Sequence, residues 1–167
     1  LAGGRKEAWE MASRLKVPVV TTWGAADVMV GHPMYMGTWG THGVRAANFA
    51  IQKADLVIAI GTRLDTKATG SPASSFASNA KLVMVDVDKA ELGKMEKIGR
   101  PCDIIQDDAL HYMENLHLIG NFDDWIGLIE SWKLDYPAVL PEYPPQSPYR
   151  FMEDLSHYLT KDDVVVS

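Results

Sequence analysis

The strongest constraint on the fold is a set of short apolar runs that alternate with helical patterns. DLVIAI at residues 55–60 and KLVMVDV at residues 81–87 are runs of the kind that form strands buried on both faces. Residues 17–21 and 103–106 form shorter runs of the same type. Helical spacing of apolar residues occurs in residues 5–16, 43–54, 89–95, 108–116 and 122–135. This alternation predicts an α/β fold with a doubly wound parallel sheet.

The remaining segments are interpreted as loops and a linker. Residues 23–41 and 61–80 are rich in turn-forming residues, so both are predicted to be loops. PAVLPEYPPQSP has five prolines in twelve residues and cannot continue a helix or a central strand. We therefore predict one domain over residues 1–135, a linker over 136–147, and a helix with the start of a strand over 148–167.

Composition excludes several classes of partner. The chain has 167 residues, a net charge of −6 and a pI of about 5.3, which argues against nucleic acid or an anionic membrane as a main partner. Cys102 is the only cysteine, so a disulfide framework and a cysteine-rich zinc site are excluded within the chain. No apolar run approaches the roughly 18 residues of a membrane span, and no signal peptide is visible. We expect a cytoplasmic protein without a membrane partner.

Both ends of the chain are unusual. It opens on LAGGRKEAWE, without Met, and it closes on DDVVVS, inside an apolar, β-branched run. A strand that ended there would leave an unpaired edge. The sequence therefore predicts a fragment of a longer polypeptide.

Charged residues follow the predicted strands, at the edge where parallel sheets bind ligands. Arg63 could hold a phosphate bidentately, and a surface ion pair with Asp65 is an equal alternative. Asp86 could accept hydrogen bonds from ribose hydroxyls, whereas Asp88 suits a helix N-cap. Asp108 could cap its helix or reach an adenosine. These residues predict a nucleotide crevice, with no catalytic residue and no acid–base pair.

A glycine-rich loop precedes the predicted helix at residues 43–54. It reads GTWGTHG at residues 37–43, with a spacing that differs from the dinucleotide fingerprint. Its glycines would let the backbone approach a ligand, so it is predicted to form one wall of the crevice. His32 and His42 lie ten residues apart without a convincing third ligand, and we predict no metal site.

Four segments together resemble a known family. HPMYMGTWGTHG, ANFAIQKADLVIAIGTRLDTKATG, KLVMVDVDKAELGK and PCDIIQDDAL occur in this order, and they are similar to the central, Rossmann-like domain of thiamine-diphosphate-dependent enzymes of the acetolactate (acetohydroxyacid) synthase group. The resemblance covers roughly residues 2–117. The tail PYRFMEDLSHYLTKDDVVVS resembles the start of that family's C-terminal, diphosphate-binding domain.

The resemblance implies a parent enzyme that acts on 2-oxo acids such as pyruvate, in branched-chain amino acid biosynthesis. It implies thiamine diphosphate and Mg²⁺, whose family ligands, an N-terminal glutamate and a GDG…N motif, are not in this sequence. The family is usually a homodimer or homotetramer, so the partners implied are the remaining domains and further copies. The fragment alone is expected to be inactive.

The resemblance also implies a nucleotide in this domain, which is FAD in acetohydroxyacid synthases and ADP in oxalyl-CoA decarboxylase. The residues that it assigns to cofactor binding are Gly4, Thr22, Trp39, Gly40, Thr41, His42, Gly61, Thr62, Arg63, Leu64, Asp65, Asp86, Val87, Asp108 and Ala109. Residues 39–42 would face the flavin, residues 61–65 the pyrophosphate and ribityl chain, and the last four the adenosine. GTHG and GTRLDTKATG depart from the family's GMHG and GVRFDDRVTG. FAD, ADP and an empty crevice therefore stay open, as do a related 2-oxo acid decarboxylase and a stand-alone nucleotide-binding or structural domain.

Overall fold

The apolar runs form strands and the amphipathic segments form helices in the computed structural model, which describes residues 3–94 and 101–165. The strands in these ranges are β1 (Val19–Thr21), β2 (Tyr35–Thr38), β3 (Leu56–Ile60), β4 (Lys81–Asp86) and β5 (Cys102–Gln106). The helices are α1 (Arg5–Leu15), α2 (Arg45–Lys53), α3 (Thr66–Thr69), α4 (Lys89–Gly93), α5 (Ala109–Asn115), α6 (Asp123–Asp135) and α7 (Pro148–Ser156).

All strand pairs in the described ranges are parallel, which confirms the predicted α/β class. They divide into two sheets, because β1 pairs with β2 while β3, β4 and β5 pair in chain order. The register runs unbroken from Leu56↔Lys81 in the first pair of the larger sheet and from Leu82↔Cys102 in the second. In the smaller sheet it shifts between Val19 and Thr21.

The central strand β4 holds the largest core cluster together. Leu82 and Met84 are fully buried, and they share a cluster with Phe76 and Trp39. Burying a side chain of this size contributes roughly 1.5–3 kcal/mol. The helices cover the strands, with α4 against β4 and β5, α2 and α6 against β2, and α1 against α5.

Two predicted loops contain regular structure. The strand β2 lies inside residues 23–41, and the short helix α3 lies inside residues 61–80. The sequence of β2, YMGT, carries a glycine and no apolar run, so only its pairing with β1 makes it a strand. Both loop predictions were wrong over these residues.

Two further predictions concern the ends of elements: the start of a strand at residue 163 and the end of a helix at residue 95. Residues 163–165 were predicted to begin a strand, but they adopt no regular structure, and residues 166 and 167 lie outside the described ranges. Residue 95, the predicted end of the short helix at 89–95, also lies outside them.

The proline-rich segment is held against α7. The Arg150 Nε donates to the carbonyl of Tyr143 at 2.6 Å, and its Nη2 donates to that of Pro141 at 2.5 Å. The ring of Tyr143 stacks on that of Tyr149 at 5.3 Å. Among the described residues, none in α7 is buried. The domain boundary at residues 136–147 stays a prediction.

No helix in residues 3–94 or 101–165 combines the length and the apolar character that a membrane span requires.

Candidate functional site

The last residue of β4 and the segments that follow β3, β4 and β5 lie along one edge, which we call the carboxyl edge (residues 61–65, 86–88 and 107–109). Backbone hydrogen bonds join them, because Gly61 donates its N–H to the carbonyl of Val85 at 2.8 Å and Asp107 donates to that of Asp86 at 3.2 Å. Parallel strands end on the same side of a sheet. The structure therefore brings together the charged residues that the sequence singled out after these strands.

The turn after β3 has an unusual backbone. Gly61 has a φ of +60° and Leu64 a φ of +46°, so both adopt left-handed conformations. A non-glycine residue in this region costs roughly 1–2 kcal/mol, and such strain gathers at functional sites. Among the described residues, the N–H groups of residues 62–65 donate to no acceptor. Unused backbone N–H groups in turns that contain left-handed residues are a feature of anion-binding sites.

Arg63 is available beside this turn. Its side chain is 78% exposed, and its Nε lies 3.9 Å from Oε1 of Glu91. The predicted alternative partner was wrong, because Asp65 instead caps α3 by accepting from the N–H of Ala68 at 3.0 Å. Lys94 also binds Glu91, at 2.6 Å. A long, exposed ion pair contributes only about 0–1 kcal/mol, so Arg63 can turn toward an anion at little cost.

The aspartates of the carboxyl edge organise the backbone. Asp88 caps α4 by accepting from the N–H of Ala90 at 2.8 Å, as predicted. Asp108 caps α5 by accepting from the N–H of Leu110 at 2.8 Å. Asp86 accepts from the N–H of Asp88 through Oδ1 at 2.9 Å. Its Oδ2 accepts no hydrogen bond within the described part of the chain, which leaves that oxygen able to accept from a hydroxyl.

An Asp–His pair also lies at this edge, and the sequence interpretation missed it. His111 Nδ1 is 2.9 Å from Oδ2 of Asp107. The hydrogen bond from His111 lowers the pKa of Asp107 below its usual value, and the same bond raises the pKa of His111. The i,i+4 spacing of an aspartate and a histidine at a helix start was the signal available in the sequence.

The glycines of GTWGTHG serve the packing of the loop itself. A Cβ on Gly37, with a φ of +106°, would lie 2.5 Å from the Val44 side chain. On Gly40, with a φ of +99°, it would lie 2.9 Å from the carbonyl oxygen of Lys67. On Gly43 it would lie 2.5 Å from that of Thr38. Gly40 and Gly43 therefore allow close approach of neighbouring backbone, and Gly37 allows close approach of the Val44 side chain. The approach of a ligand to this loop stays a prediction.

The other predicted site residues of this loop, Trp39, Thr41 and His42, have different surroundings. Thr41 donates both its N–H and its Oγ1 hydroxyl to the carbonyl of Lys67 at 2.9 Å, which ties the loop to α3. Trp39 is buried and stacks on Phe76 at 5.1 Å, so its indole belongs to the core. His42 is exposed, and its ring meets that of Trp23 at 5.0 Å.

Gly4 and Thr22, which the resemblance assigns to cofactor binding, lie outside both the carboxyl edge and the loop at residues 37–43. Gly4 precedes α1, and a Cβ there would lie 2.5 Å from the side chain of Leu110, so this glycine permits α1 to pack on α5. Thr22 follows β1, and its carbonyl accepts from the N–H of Ala25 at 3.0 Å. Their contacts with a nucleotide stay predictions, as do those of Thr62, Val87 and Ala109.

His32 belongs to the core. Its Nε2 lies 2.9 Å from the hydroxyl of Ser13, its Nδ1 accepts from the N–H of Met34 at 3.0 Å, and its ring contacts Trp9. Within residues 3–94 and 101–165 no three His, Cys, Asp or Glu side chains are grouped so that they could hold a metal ion.

Comparison with known proteins gives one family. Residues 1–111 match the family model described as thiamine pyrophosphate enzyme, central domain. The chain is 36% identical, over 84% of its length, to the acetolactate synthase large subunit of Cyanidium caldarium. It is 33% identical, over 98% of its length, to the probable acetolactate synthase large subunit of Methanocaldococcus jannaschii. It is 32% identical, over 89%, to the acetolactate synthase isozyme 1 large subunit of Escherichia coli strain K12. The chain spans about a quarter of the length of these relatives, from 25% to 28%.

Proposed function

Because this chain belongs to the thiamine pyrophosphate enzyme family as its central domain, we propose that it is the non-catalytic, nucleotide-binding part of an acetolactate synthase-like enzyme. The parent would act on 2-oxo acids such as pyruvate. Thiamine diphosphate and Mg²⁺ would be held by segments outside this chain, and thiamine diphosphate would supply the carbanion chemistry. The names of the three relatives support this substrate class.

The turn at residues 61–65 is the observation that most supports a nucleotide. Its unused N–H groups at residues 62–65 and the exposed guanidinium of Arg63 form a donor set that suits a pyrophosphate. The free Oδ2 of Asp86 suits a ribose hydroxyl. These donors and acceptors are chemically suited to FAD or ADP, and in this proposal Asp108 and Ala109 would lie near the adenosine.

The roles of these residues are to bind and orient. Residues 62–65 would hold phosphate oxygens, Asp86 would hold the ribose, and Gly61 permits the turn through its left-handed φ of +60°. Asp88 and Asp108 keep the edge in shape through their caps. A cytoplasmic, homodimeric or homotetrameric parent belongs to the same proposal.

Nucleotide titration of the intact gene product tests the proposal. We expect FAD or ADP to bind, and Arg63→Gln to weaken either nucleotide by about 10- to 150-fold, because a charge-assisted bond of about 1.5–3 kcal/mol is lost. Lys6→Gln is the matched control, since Lys6 is an equally exposed cation on α1 that pairs only weakly with Glu10, at 3.8 Å. Binding of neither nucleotide would refute the assignment to this domain. No turnover of any 2-oxo acid with thiamine diphosphate and Mg²⁺ would refute the activity.

A structural domain with an empty crevice is the second candidate. It is favoured by the glycines of residues 37–43 and by the capping aspartates, which all have roles within the fold. The same titration separates the two candidates.

A further inference from the structure

An open groove lies between β2, the start of α2 and the end of α6. Its volume is about 320 Å³, and the three residues that follow α6 complete its lining. Sites for small ligands typically have volumes of about 300–1,000 Å³. Among the described residues, those that line the groove include none from the carboxyl edge. The groove is therefore separate from the proposed nucleotide site.

The lining of the groove is mostly apolar. Met36 of β2 is fully buried beneath it, and Val44 and Ala46 line it from the start of α2. Tyr136 supplies an exposed aromatic ring, which meets the ring of Phe49 edge-on with centroids 5.3 Å apart. Small-molecule sites combine such a lining with a few placed polar groups. The groove therefore suits the hydrocarbon part of a ligand.

Lys133 brings a positive charge to this apolar lining. Its Nζ donates to the carbonyl of Tyr35 at 2.9 Å, which holds the ammonium beside β2. An ammonium has more donors than this one bond uses. In residues 3–94 and 101–165 no carboxylate forms an ion pair with Lys133, although the chain has 22 acidic residues against 16 basic ones. The remaining donors of Lys133 are therefore available to an anion.

We propose that the groove binds an apolar monocarboxylate, with its carboxylate on Lys133 and its hydrocarbon part against Met36 and Tyr136. The charge selects the head group, because an ammonium and a carboxylate form short, charge-assisted hydrogen bonds. The apolar lining selects the rest of the ligand, because burial of hydrocarbon is favourable. A single cation matches a single negative charge, so a polyphosphate is a poor occupant. This site is additional to the proposed nucleotide site and does not rest on it.

Calorimetric titration of the intact gene product tests this inference, with hexanoate as the probe. We expect hexanoate to bind saturably, and hexanamide, which has the same chain without the charge, to bind at least about ten-fold more weakly. Acetate keeps the charge without the chain, and it should also bind at least about ten-fold more weakly. Hexanoate should raise the melting temperature, because a ligand of the folded state stabilises that state.

Variants at the groove locate the binding. Lys133→Met removes the ammonium and should weaken hexanoate by about ten-fold or more. Lys133→Arg keeps a cation and should stay within about three-fold of the wild type. Ala138→Trp fills the groove from an exposed lining position and should weaken hexanoate by at least about ten-fold. Lys53→Met is the matched control, because Lys53 is an exposed cation of α2 that does not line the groove.

Three outcomes would overturn the inference. The first is a wild type that does not bind hexanoate, which is the result expected if another segment of the intact chain fills the groove. The second is hexanoate binding that neither Lys133→Met nor Ala138→Trp weakens, because the ligand would then lie elsewhere. The third is equal affinity for hexanoate and hexanamide. If Lys133→Met does not fold, Ala138→Trp and the hexanamide comparison still decide.

This test can fail separately from that of the proposed function. The affinity of the wild type for FAD or ADP is measured in its own titration, and Lys133→Met should leave it unchanged, since Lys133 does not belong to the carboxyl edge. Loss of nucleotide binding in the wild type would refute the nucleotide site and leave the groove in place.

Discussion

The two parallel sheets of this chain differ in their length, in the regularity of their register and in the burial of their strands. The sheet of β3, β4 and β5 keeps an unbroken register, and the central strand is buried from Leu82 to Val85. The pair of β1 and β2 is short, and its register shifts after Val19. The central strand is packed along its buried length and paired at five positions with β3, whereas β1 and β2 pair at two positions.

The same difference governs the loops that leave the sheets. The turn after β3 leaves the N–H groups of residues 62–65 unused among the described residues, at the place proposed for phosphate. The loop after β2 uses its polar groups internally, because Gly40 donates to Asn48 and Thr41 donates to the carbonyl of Lys67. Most buried backbone N–H groups in folded proteins have a partner, so the unused donors of residues 62–65 distinguish this turn from the loop after β2.

The largest test of this contrast deletes the same side chain from each sheet. Met84 in β4 and Met36 in β2 are both fully buried. We expect Met84→Ala to cost about 3–5 kcal/mol and Met36→Ala about 2–3 kcal/mol in the free energy of unfolding. Met36 borders an open groove of about 320 Å³ between β2 and the end of α6, into which neighbours can relax. Urea denaturation measures both values, and a larger loss for Met36→Ala would contradict the contrast.

The next test concerns the tightly packed glycine loop. Gly40→Ala should destabilise the protein by about 2 kcal/mol or more, because it combines a left-handed φ with a clash. The clash is with the Lys67 carbonyl oxygen, 2.9 Å from the added Cβ. Gly31→Ala is its control, since Gly31 has a φ of +88° but its nearest atom is 3.9 Å away. We expect a cost of about 1 kcal/mol there. Equal melting temperatures for the two variants would show that the contact does not matter.

A smaller loss of stability is expected when the N-cap of α5, the helix that follows β5, is removed. Asp108→Ala removes an acceptor for the N–H groups of Leu110 and His111 and should cost about 1 kcal/mol. Asp108→Asn keeps the acceptor and should lose only a few tenths of a kcal/mol. Thermal unfolding of both variants measures this difference. If the two lose stability equally, the carboxylate acts by charge and not as a cap.

The smallest effect is the pH dependence of the Asp107–His111 pair. The raised pKa of His111 means that its stabilisation is complete below the ordinary value of 6.5 and is lost as pH rises through the raised pKa. The lowered pKa of Asp107 means that its stabilisation is complete above 3.8 and is lost as pH falls through the lowered pKa. The stability difference between wild type and His111→Ala should therefore be greatest between pH 3.8 and 6.5.

Unfolding curves across this range check that pH dependence. His117→Ala, an exposed histidine beyond α5, serves as the control for loss of an imidazole. If the stability difference between wild type and His111→Ala stays constant from about pH 4 to 9, the Asp107–His111 pair does not stabilise the carboxyl edge through its charges.

Local patterns were sufficient to predict much of the larger sheet. The runs at residues 55–60 and 81–87 became β3 and β4, because strands buried on both faces must be apolar along their whole length. The capping role of Asp88 also followed from its position just before a helical pattern. The strand β2 escaped prediction, since YMGT is a strand only through its pairing with β1, whose paired residues lie sixteen or more positions earlier.

The two tryptophans beside the smaller sheet show where local pattern stops being informative. Trp39 was expected to face a ligand, but it stacks on Phe76 in the core, while Trp23 stays in water against His42. Both follow strands of only three or four residues, which are too short for alternation to show which face is buried.

The sequence by itself determined the α/β class, the order of most elements, the cap at Asp88 and the membership of a family, because these depend on spacing between near neighbours and on runs of apolar residues. Only the tertiary structure decided how the strands divide into two sheets, that Arg63 pairs with Glu91, and that the loop glycines meet Val44, Lys67 and Thr38. The physical reason is that strand pairing and loop packing join distant residues, and their free energy depends on distances that no local pattern specifies.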